Sequence, residues 1–398
     1  MILTTSAFSP QSLDSIRPIG QIGETSRSDH FRSWVTIDHS ALRHNLRVIK
    51  RLAGDAGIIA VVKANAYGHG LSEIVSTMRD HVAFFAVASL EEALHLRCSD
   101  QQCPVLLLSA ALPSEYPIIA TEGFIPTISS FEEAKRFAKI AVPLISGLAP
   151  IHFKIDTGMG RLGVWHREAE EVLTKVARLP LAIQSLSTHL PAADSAISYT
   201  RAQLTLFKKL LPVLQKIAPQ ATVHVLNSAG LLRFPKHAYD FVRVGLMLYG
   251  VSPLPSFQKL FRPVLSWKAT ISLVHKITEG RTISYGCTYR VPRDLMVAVL
   301  PVGYGDGYPQ QLSEHGAEVL IKGHRCPILG RVTMDQIMVD VTRIENVSVG
   351  NEAVLVGKQG AQEITVTELA NKANTIAWHL FTGITERVHR IHCSEISS

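Results

Sequence analysis

Short apolar runs alternate with amphipathic stretches between Trp34 and about Phe261. The runs are four to six residues long and rich in β-branched residues, as expected for buried strands. The stretches between them repeat apolar residues every three or four positions, as in His39–Leu52, which predicts helices that bury one face. The predicted strands are Ile58–Val62, Phe84–Ala88, Val105–Ser109, Ile125–Ile128, His152–Ile155, Ile183–Thr188, Thr222–Leu226 and Phe241–Val244.

Eight strand–helix units within about 230 residues predict an α/β fold, a closed parallel (β/α)8 barrel of the TIM type. The alternative is an open, doubly wound sheet. That alternative is disfavoured because no G-x-G-x-x-G follows the first strand, where Ala64–Gly70 predicts a different kind of loop.

After about Val264 short strands separated by turn residues predict a mostly β domain with one helix near Val366–Ala373. The chain therefore divides into a flexible tail (1–33), a barrel (34–263) and a C-terminal domain (264–398). The strand Trp34–Asp38 is expected to pair with the last of these. The predicted C-terminal strands are Leu265–Ile277, Leu295–Leu300, Glu318–Ile321, Pro327–Leu329, Gln336–Val341 and Ala353–Val356.

Composition and charge exclude several classes of function. The 398 residues carry 40 Lys+Arg against 33 Asp+Glu, without a run of five like charges, which argues against a nucleic-acid partner. No apolar stretch reaches the roughly 18 residues of a membrane span, and the N-terminus lacks the basic start of a secretory signal. The charge excess suits small anionic ligands.

The cysteines indicate reduced thiols. Five cysteines are an odd number, and none has C-x-x-C spacing, which favours a cytoplasmic protein. Without an H-E-x-x-H motif or a paired Cys/His cluster, we expect no metal site.

The carboxyl ends of the barrel strands hold the candidate chemistry, because active sites of this fold lie there. Lys63 follows an apolar run, and burial would lower its pKa and favour attack on a carbonyl to form a Schiff base. From its position alone, a lysine that extends to water is the favoured alternative.

A phosphate cup is predicted where the seventh and eighth strands end. Asn227, Ser228 and Gly245 offer a hydroxyl and free backbone N–H groups, although ordinary loop capping explains them as well. Arg161 and Arg243 suit a carboxylate or an aromatic cofactor, with surface ion pairs as the alternative.

Seven motifs together identify a family. They occur in its order and spacing between about Trp34 and Ile391: AVVKANAYGHG, IDTGMGRLG, LNSAG, RVGLMLYG, SYGCTY, PVGYGDGYP and GRVTMDQ. In this set the chain resembles alanine racemase.

The resemblance implies an isomerase that depends on pyridoxal 5'-phosphate (PLP), a fold-type III enzyme that works as a head-to-tail homodimer with shared active sites. It would interconvert L-alanine and D-alanine, supplying D-alanine for peptidoglycan, by two-base proton transfer on the Schiff base between PLP and substrate. Lys63 would anchor PLP and serve the D-alanine proton. Tyr285, from the partner chain, would serve the L-alanine proton. Arg161 and the backbone N–H of Met334 would bind the substrate carboxylate.

The resemblance also implies a set of cofactor contacts. Arg243 would face the pyridine nitrogen, with His189 linking it toward Tyr285. Lys154 matches a lysine that is carbamylated in many relatives, and the negative carbamate would hold Arg161 in place. The cofactor-binding set is Lys63, Tyr67, Arg161, His189, Asn227, Ser228, Arg243, Gly245, Leu246 and Trp378.

Two positions depart from the family pattern. Trp378 stands where relatives usually have Tyr, and Gln310 where they often have Arg. Both bear on substrate preference and PLP affinity. A racemase of another small amino acid such as serine, a PLP-dependent decarboxylase and a non-catalytic PLP-binding protein are the competing functions. A decarboxylase has less use for a carboxylate-binding Arg161, and a non-catalytic barrel has no β domain.

Overall fold

The computed structural model describes residues 31–99 and 102–394. Most of the predicted tail therefore lies outside the described residues. The first strand already begins at Ser33, which is buried, and the carbonyl of Phe31 accepts a hydrogen bond from Thr270.

Eight parallel strands form a closed barrel, as the sequence predicts. Neighbouring strands pair in the order β5-β4-β3-β2-β10-β9-β8-β6, and pairing of β5 with β6 closes the ring. The strands are β2 (Gly57–Val61), β3 (Phe84–Val87), β4 (Val105–Leu107), β5 (Ile125–Ile128), β6 (Ala149–Asp156), β8 (Leu181–Ser187), β9 (Thr222–His224) and β10 (Phe241–Val244), and β7 (Val164–Trp165) pairs with the end of β6.

Helices cover the outside of the barrel and bury their apolar faces against it. In the first of them, Asp38 caps the N-terminus by accepting from the backbone N–H groups of Ser40 and Ala41. The outer helices are α1 (His39–Ala53), α3 (Leu71–Met78), α4 (Leu90–Ser99), α5 (Tyr116–Thr121), α6 (Phe131–Ala141), α7 (Ala169–Val176), α8 (Ile197–Ile217) and α9 (Ser228–Arg233), whereas the short segment α2 (Lys63–Gly68) follows β2 on the pocket side of the barrel. No helix in the described part of the chain is both long and apolar enough to cross a membrane.

The C-terminal region is mostly strand, as predicted. Its strands are β11 (Leu265–Thr270), β12 (Leu273–Ile277), β13 (Thr282–Ile283), β14 (Tyr289–Arg290), β15 (Leu295–Leu300), β16 (Glu318–Ile321), β17 (His324–Leu329), β18 (Ile337–Asp340), β19 (Glu352–Gln359), β20 (Gln362–Ile364) and β21 (His389–Cys393), with helices α10 (Val366–Lys372) and α11 (Ala377–Gly383).

The predicted strand Leu265–Ile277 is wrong as a single element. The chain breaks between β11 and β12 at Ile271 and Ser272, whose N–H groups bond to the carbonyls of Asn351 and Val299. The reason is that the two halves have different neighbours: β11 pairs with β1 (Ser33–Asp38) and β19, whereas β12 pairs with β15.

The strand β1 precedes the barrel in the sequence but belongs to the C-terminal sheet. It lies between β11, which is antiparallel to it, and β21, which is parallel. Sequence patterning missed β21 because its residues, His389–Cys393, do not alternate between apolar and polar. Its partner strand, rather than its own pattern, determines that it is extended.

The C-terminal domain also packs against the segment that follows β2. Nε of Arg390 donates to the carbonyl of Gly68 at 2.8 Å, and the rings of His69 and Phe381 lie 4.9 Å apart, edge to face. This contact places α11 beside the carboxyl end of the barrel, where it becomes a wall of the pocket described next.

Candidate active site

A cavity of about 590 Å³ opens at the carboxyl end of the barrel strands, within the usual size range of ligand pockets. Eleven predicted site residues line it, ten from the barrel and Trp378 from α11. These are Lys63, Tyr67, Lys154, Arg161, His189, Asn227, Ser228, Arg243, Gly245, Leu246 and Trp378.

Two predicted site residues lie outside this cavity. Tyr285 is 71% exposed and Met334 is 51% exposed, both on loops of the C-terminal domain. These loops touch each other, because the hydroxyl of Ser284 donates to the carbonyl of Arg331 at 2.6 Å. The N–H of Gly305 donates to the carbonyl of Met334 at 2.8 Å. We call this surface, residues 284–287, 303–308 and 331–335, the loop face.

Lys63 opens a left-handed turn within Ala64–Gly70, the segment that the sequence predicts to be a loop of another kind than the G-x-G-x-x-G loop. The four residues Ala64–Tyr67 have φ between 52° and 54°, a conformation that costs roughly 1–2 kcal/mol per non-glycine residue. Glu92 secures the turn by accepting from the N–H groups of Ala64 and Ala88 at 2.6 and 2.7 Å. The side chain of Asn65 accepts from the N–H of Leu71.

The surroundings of Lys63 favour its neutral amine. Burial lowers the pKa of Lys63, the positive charge of Arg161 lowers it further, and Glu92 acts in the opposite direction. A lysine with a depressed pKa holds more of the free amine that attacks carbonyl groups. The pocket environment therefore favours a nucleophilic role over extension into water.

The pKa of Lys154, at the end of β6, is strongly lowered. Burial, followed by the charges of Arg243 and Arg161, lowers the pKa of Lys154 to about 7. At neutral pH a large share of Lys154 is then an uncharged amine. That form is the one that reacts with carbon dioxide.

Arg243, on β10, is a buried cation at the floor of the pocket, and several hydrogen bonds fix its guanidinium. Its guanidinium donates to the carbonyls of His224 (2.7 Å), Thr188 (2.6 Å) and Val225 (3.1 Å). It also donates to Nδ1 of His189 at 3.3 Å and Nδ1 of His224 at 2.5 Å. Burial lowers the pKa of Arg243 to about 10, so the group remains charged at neutral pH. It is therefore a fixed hydrogen-bond donor.

Two histidines below Arg243 were missed by sequence reasoning. The rings of His152 and His224 stack 4.7 Å apart. The ring nitrogens of His152 bond to the hydroxyls of Ser185 (2.6 Å) and Ser187 (2.7 Å). Burial, then the charge of Arg243, holds the pKa of both histidines well below the usual value. The missed signal was strand alternation, since His152 lies two residues before Lys154 and shares its face.

The predicted phosphate cup has a confined geometry. The N–H of Gly245 donates to the hydroxyl of Ser228 at 3.3 Å, and a Cβ at Gly245 would meet the hydroxyl of Tyr67 at 2.6 Å. Burial raises the pKa of Tyr67 to about 12, so its hydroxyl stays a donor. The amide of Asn227 is already engaged, with the N–H of Gly230 (2.9 Å) and the carbonyl of Leu190 (3.0 Å). Asn227 therefore shapes the cup through the loop it holds.

Taken together, the pocket presents cations and neutral donors. Lysine and arginine side chains reach it from three strands, and hydroxyl and backbone N–H groups lie at the far side. This set of donors suits a ligand with a carbonyl group that Lys63 can attack. Its anionic groups would be bound by the arginines, the hydroxyls and the backbone N–H groups. Ile376, Trp378 and Thr382 close the side formed by the C-terminal domain.

Family models match nearly the whole described chain. The model for the alanine racemase N-terminal domain covers residues 37–253, and the model for its C-terminal domain covers residues 264–392.

Characterised relatives match over similar lengths. An alanine racemase of Methylacidiphilum infernorum is 41% identical over 91% of this chain and 92% of its own. One from Halothermothrix orenii is also 41% identical, over 92% of this chain and 97% of its own.

Solved structures agree in fold. The alanine racemase of Clostridium difficile superposes with a TM-score of 0.86 at 30% identity, covering 92% of this chain and 96% of that one. The Bacillus anthracis alanine racemase with bound L-Ala-P gives 0.83 at 32% identity, covering 92% and 97%.

Proposed function

The chain belongs to the alanine racemase family, and from this premise we propose that it interconverts L-alanine and D-alanine with PLP as cofactor, supplying D-alanine for peptidoglycan. The observation that carries the proposal is the position of Lys63. Its amine has a lowered pKa and lies in one cationic pocket with Arg161 and Arg243. A carbonyl-bearing, anionic cofactor and a small carboxylate substrate match that arrangement.

The residues of the pocket fit PLP. Lys63 offers the amine for its aldehyde, and the cup formed by Tyr67, Ser228 and Gly245 offers donors for its phosphate. Arg243 offers a guanidinium to the ring nitrogen. When bound, PLP supplies an electron sink that acidifies the C–H bond beside the substrate amino group.

Two bases on opposite faces move the proton. Lys63 removes or returns it on one face, serving D-alanine, and Tyr285 of the partner subunit does so on the other, serving L-alanine. Positioned acid–base groups of this kind contribute about 10²–10⁴-fold in rate. Because Arg243 keeps its own protons at neutral pH, it would hold the ring nitrogen through a hydrogen bond and would not protonate it.

The substrate carboxylate is bound from two sides. Arg161 reaches it from the barrel, and the backbone N–H of Met334 of the partner subunit reaches it from the loop face. Lys154 as a carbamate would place a negative charge beside Arg161 and would remove the repulsion between the two cations. The lowered pKa of Lys154 favours that reaction.

A head-to-tail homodimer accounts for the position of Tyr285 and Met334. Both side chains are exposed in one protomer and are absent from its own pocket lining. Exposed aromatic and apolar groups clustered on one surface are typical of protein interfaces. The loop face of one protomer would then complete the pocket of its partner.

The test is an equilibration assay on the purified protein with PLP. We expect L-alanine to lose its optical rotation as D-alanine forms, and the same end point from D-alanine. L-serine, assayed in parallel, tests a racemase of another small amino acid, and release of carbon dioxide tests a decarboxylase. PLP bound to the protein without any change in the optical rotation of L-alanine would refute the proposal.

A further inference from the structure

The segment Thr157–Gly163, which we call the arginine loop, carries Arg161 to the mouth of the pocket. In the described part of the chain the Arg161 guanidinium makes no hydrogen bond or ion pair with another side chain. Lys63 and Lys154 lie close enough for the charge of Arg161 to lower the pKa of both, so neither amine attracts it. The position of Arg161 therefore depends on the backbone of the loop that carries it.

The base of the arginine loop is closed. The residues on either side of it pair in parallel, Ile155 with Val164 and Asp156 with Trp165. The N–H of Gly163 donates to the hydroxyl of Ser129 at 3.0 Å. The loop is thus fixed at its ends, and its middle needs its own restraint.

Asp156 restrains the middle of the loop. Its Oδ1 accepts from the N–H groups of Gly158 and Met159, both at 2.8 Å, and its Oδ2 accepts from that of Gly160 at 2.9 Å. Three backbone donors on one carboxylate set the path of the residues directly before Arg161. Charge-assisted bonds of this type are about twice as strong as neutral ones.

Tyr199, on α8, holds the same turn from outside. Its hydroxyl donates to the carbonyl of Gly158 at 2.6 Å, and a Cβ at Gly158 would collide with the same hydroxyl. Tyr199 is 48% exposed. Because nearly half of the side chain is exposed, the hydrogen bond to Gly158 is its main structural contribution, and packing in the core is secondary.

We propose that Asp156, assisted by Tyr199, is a positioning residue that holds Arg161 at the pocket mouth. The inference rests on the proposed carboxylate-binding role of Arg161. Asp156 itself touches neither substrate nor cofactor in this arrangement, and it acts through the backbone of the arginine loop.

The test compares Asp156→Asn, Tyr199→Phe, Arg161→Ala and the double variant Asp156→Asn/Arg161→Ala. The asparagine presents an N–H₂ group in place of one oxygen, so at least one of the three bonds is lost. We expect the KM for alanine to rise about tenfold in Asp156→Asn and about threefold in Tyr199→Phe, with kcat changed less than KM, the pattern of lost substrate binding. Asp38→Asn is the matched control, because Asp38 also accepts backbone N–H groups but caps α1 away from the arginine loop.

Hydrogen exchange of the peptide that contains residues 156–163 gives a readout that needs no substrate. We expect faster exchange of its backbone amides in Asp156→Asn and unchanged exchange there in Asp38→Asn. If the wild-type protein fails to racemise alanine, the proposed function fails, whereas the exchange experiment still reports whether Asp156 holds the loop.

The double variant decides between positioning and general destabilisation. If Asp156 acts through Arg161, Asp156→Asn adds no further rise in KM once Arg161 is absent. A full additional rise in that background would overturn the proposal. So would an unchanged KM in both Asp156→Asn and Tyr199→Phe, and the second variant keeps this outcome accessible should the first fail to fold.

Discussion

The barrel pocket and the loop face differ in whether one protomer brings their predicted site residues together. The pocket brings eleven predicted site residues together, lowers the pKa values of Lys63, Lys154 and Arg243 through burial, and lowers those of the two lysines further through nearby arginine charges. The loop face instead leaves Tyr285 and Met334 in solvent. The difference teaches that the electrostatics of the pocket belong to the single chain, whereas the proposed second base, Tyr285, lies outside the pocket of its own chain.

The largest expected effect comes from removing the central group of the pocket. Lys63→Ala should abolish racemisation, because in the proposed function the lysine is both the anchor of PLP and one of the two bases; the acid–base role alone is worth about 10²–10⁴-fold. The measurements are the alanine equilibration rate and the visible absorbance of the PLP–lysine Schiff base. Lys175→Ala, which alters an exposed lysine paired with Glu171, is the control. Appreciable racemisation by Lys63→Ala without added amines would contradict the role.

Mixing two inactive variants tests whether pocket and loop face come from different chains. Lys63→Ala and Tyr285→Phe, allowed to exchange subunits, should form about half hybrid dimers, and roughly a quarter of all sites are then whole by two-fold symmetry. We therefore expect activity approaching a quarter of the wild-type value. Tagged co-purification verifies the exchange.

The matched control for that experiment places both lesions in the barrel. In hybrids of Lys63→Ala with Arg161→Ala every pocket has a defect, so no rescue is expected. Confirmed exchange without rescue in the first pair would rule out the shared site. Equal rescue in both pairs would also contradict the division between pocket and loop face.

Lys154 offers a pH test of the electrostatics that the barrel imposes by itself. The pKa of Lys154 is about 7 in the folded protein against 10.5 for a free lysine. Between those values the unfolded chain binds more protons, so the contribution of Lys154 to stability rises with pH. Below pH 7 both states are charged, and the folded state carries the full penalty of the buried cation.

Lys154→Met should therefore stabilise the protein most below pH 7, by on the order of a few kcal/mol, and progressively less as the pH approaches 10.5. The measurement is the free energy of unfolding of both proteins across this range in buffers free of carbon dioxide. Lys175→Met serves as the exposed control. A difference that does not vary with pH would show that the pKa of Lys154 is not lowered.

The smallest effect concerns Trp378, where the C-terminal domain of the same chain forms the pocket wall. Trp378→Tyr should slow PLP dissociation, because a hydroxyl bonded to the phosphate is worth about 1.5–3 kcal/mol. Trp378→Phe, which supplies a ring without the hydroxyl, is the control and should not slow it. Equal dissociation rates in the tyrosine variant and the wild type would show that the indole already makes this contact or lies away from the phosphate.

Much of the fold was predictable because local pattern and tertiary role agree. The barrel strands are largely buried, so most of them appear as apolar runs, and Ile125–Ile128 and Phe241–Val244 have the predicted bounds. The failures occur where tertiary contacts decide. The strand His389–Cys393 forms only because β1 pairs with it, and the strand predicted over Leu265–Ile277 breaks because its halves meet different partners.

The candidate site shows the same division. Lys63, Arg161 and Arg243 were found from their place after apolar strands, since the carboxyl ends of barrel strands converge. His152 and His224 were missed, because they lie inside strands and act through stacking and hydrogen bonds to residues distant in the chain. The left-handed turn at Ala64–Tyr67 was also missed, since three of its four residues, Ala64, Ala66 and Tyr67, do not favour positive φ.

The sequence by itself determined the family, the barrel, the C-terminal sheet and the residue types of the site, because apolar periodicity and motif spacing are local properties of the chain. Only the tertiary structure decided the chemical state of those residues. Burial lowers the pKa values of Lys63, Lys154 and Arg243, and nearby arginine charges lower those of the two lysines further, because a pKa depends on dielectric surroundings and on distances between charges. The tertiary structure likewise separated Tyr285 from Lys63, because the fold of one chain directs the loop face away from its own pocket.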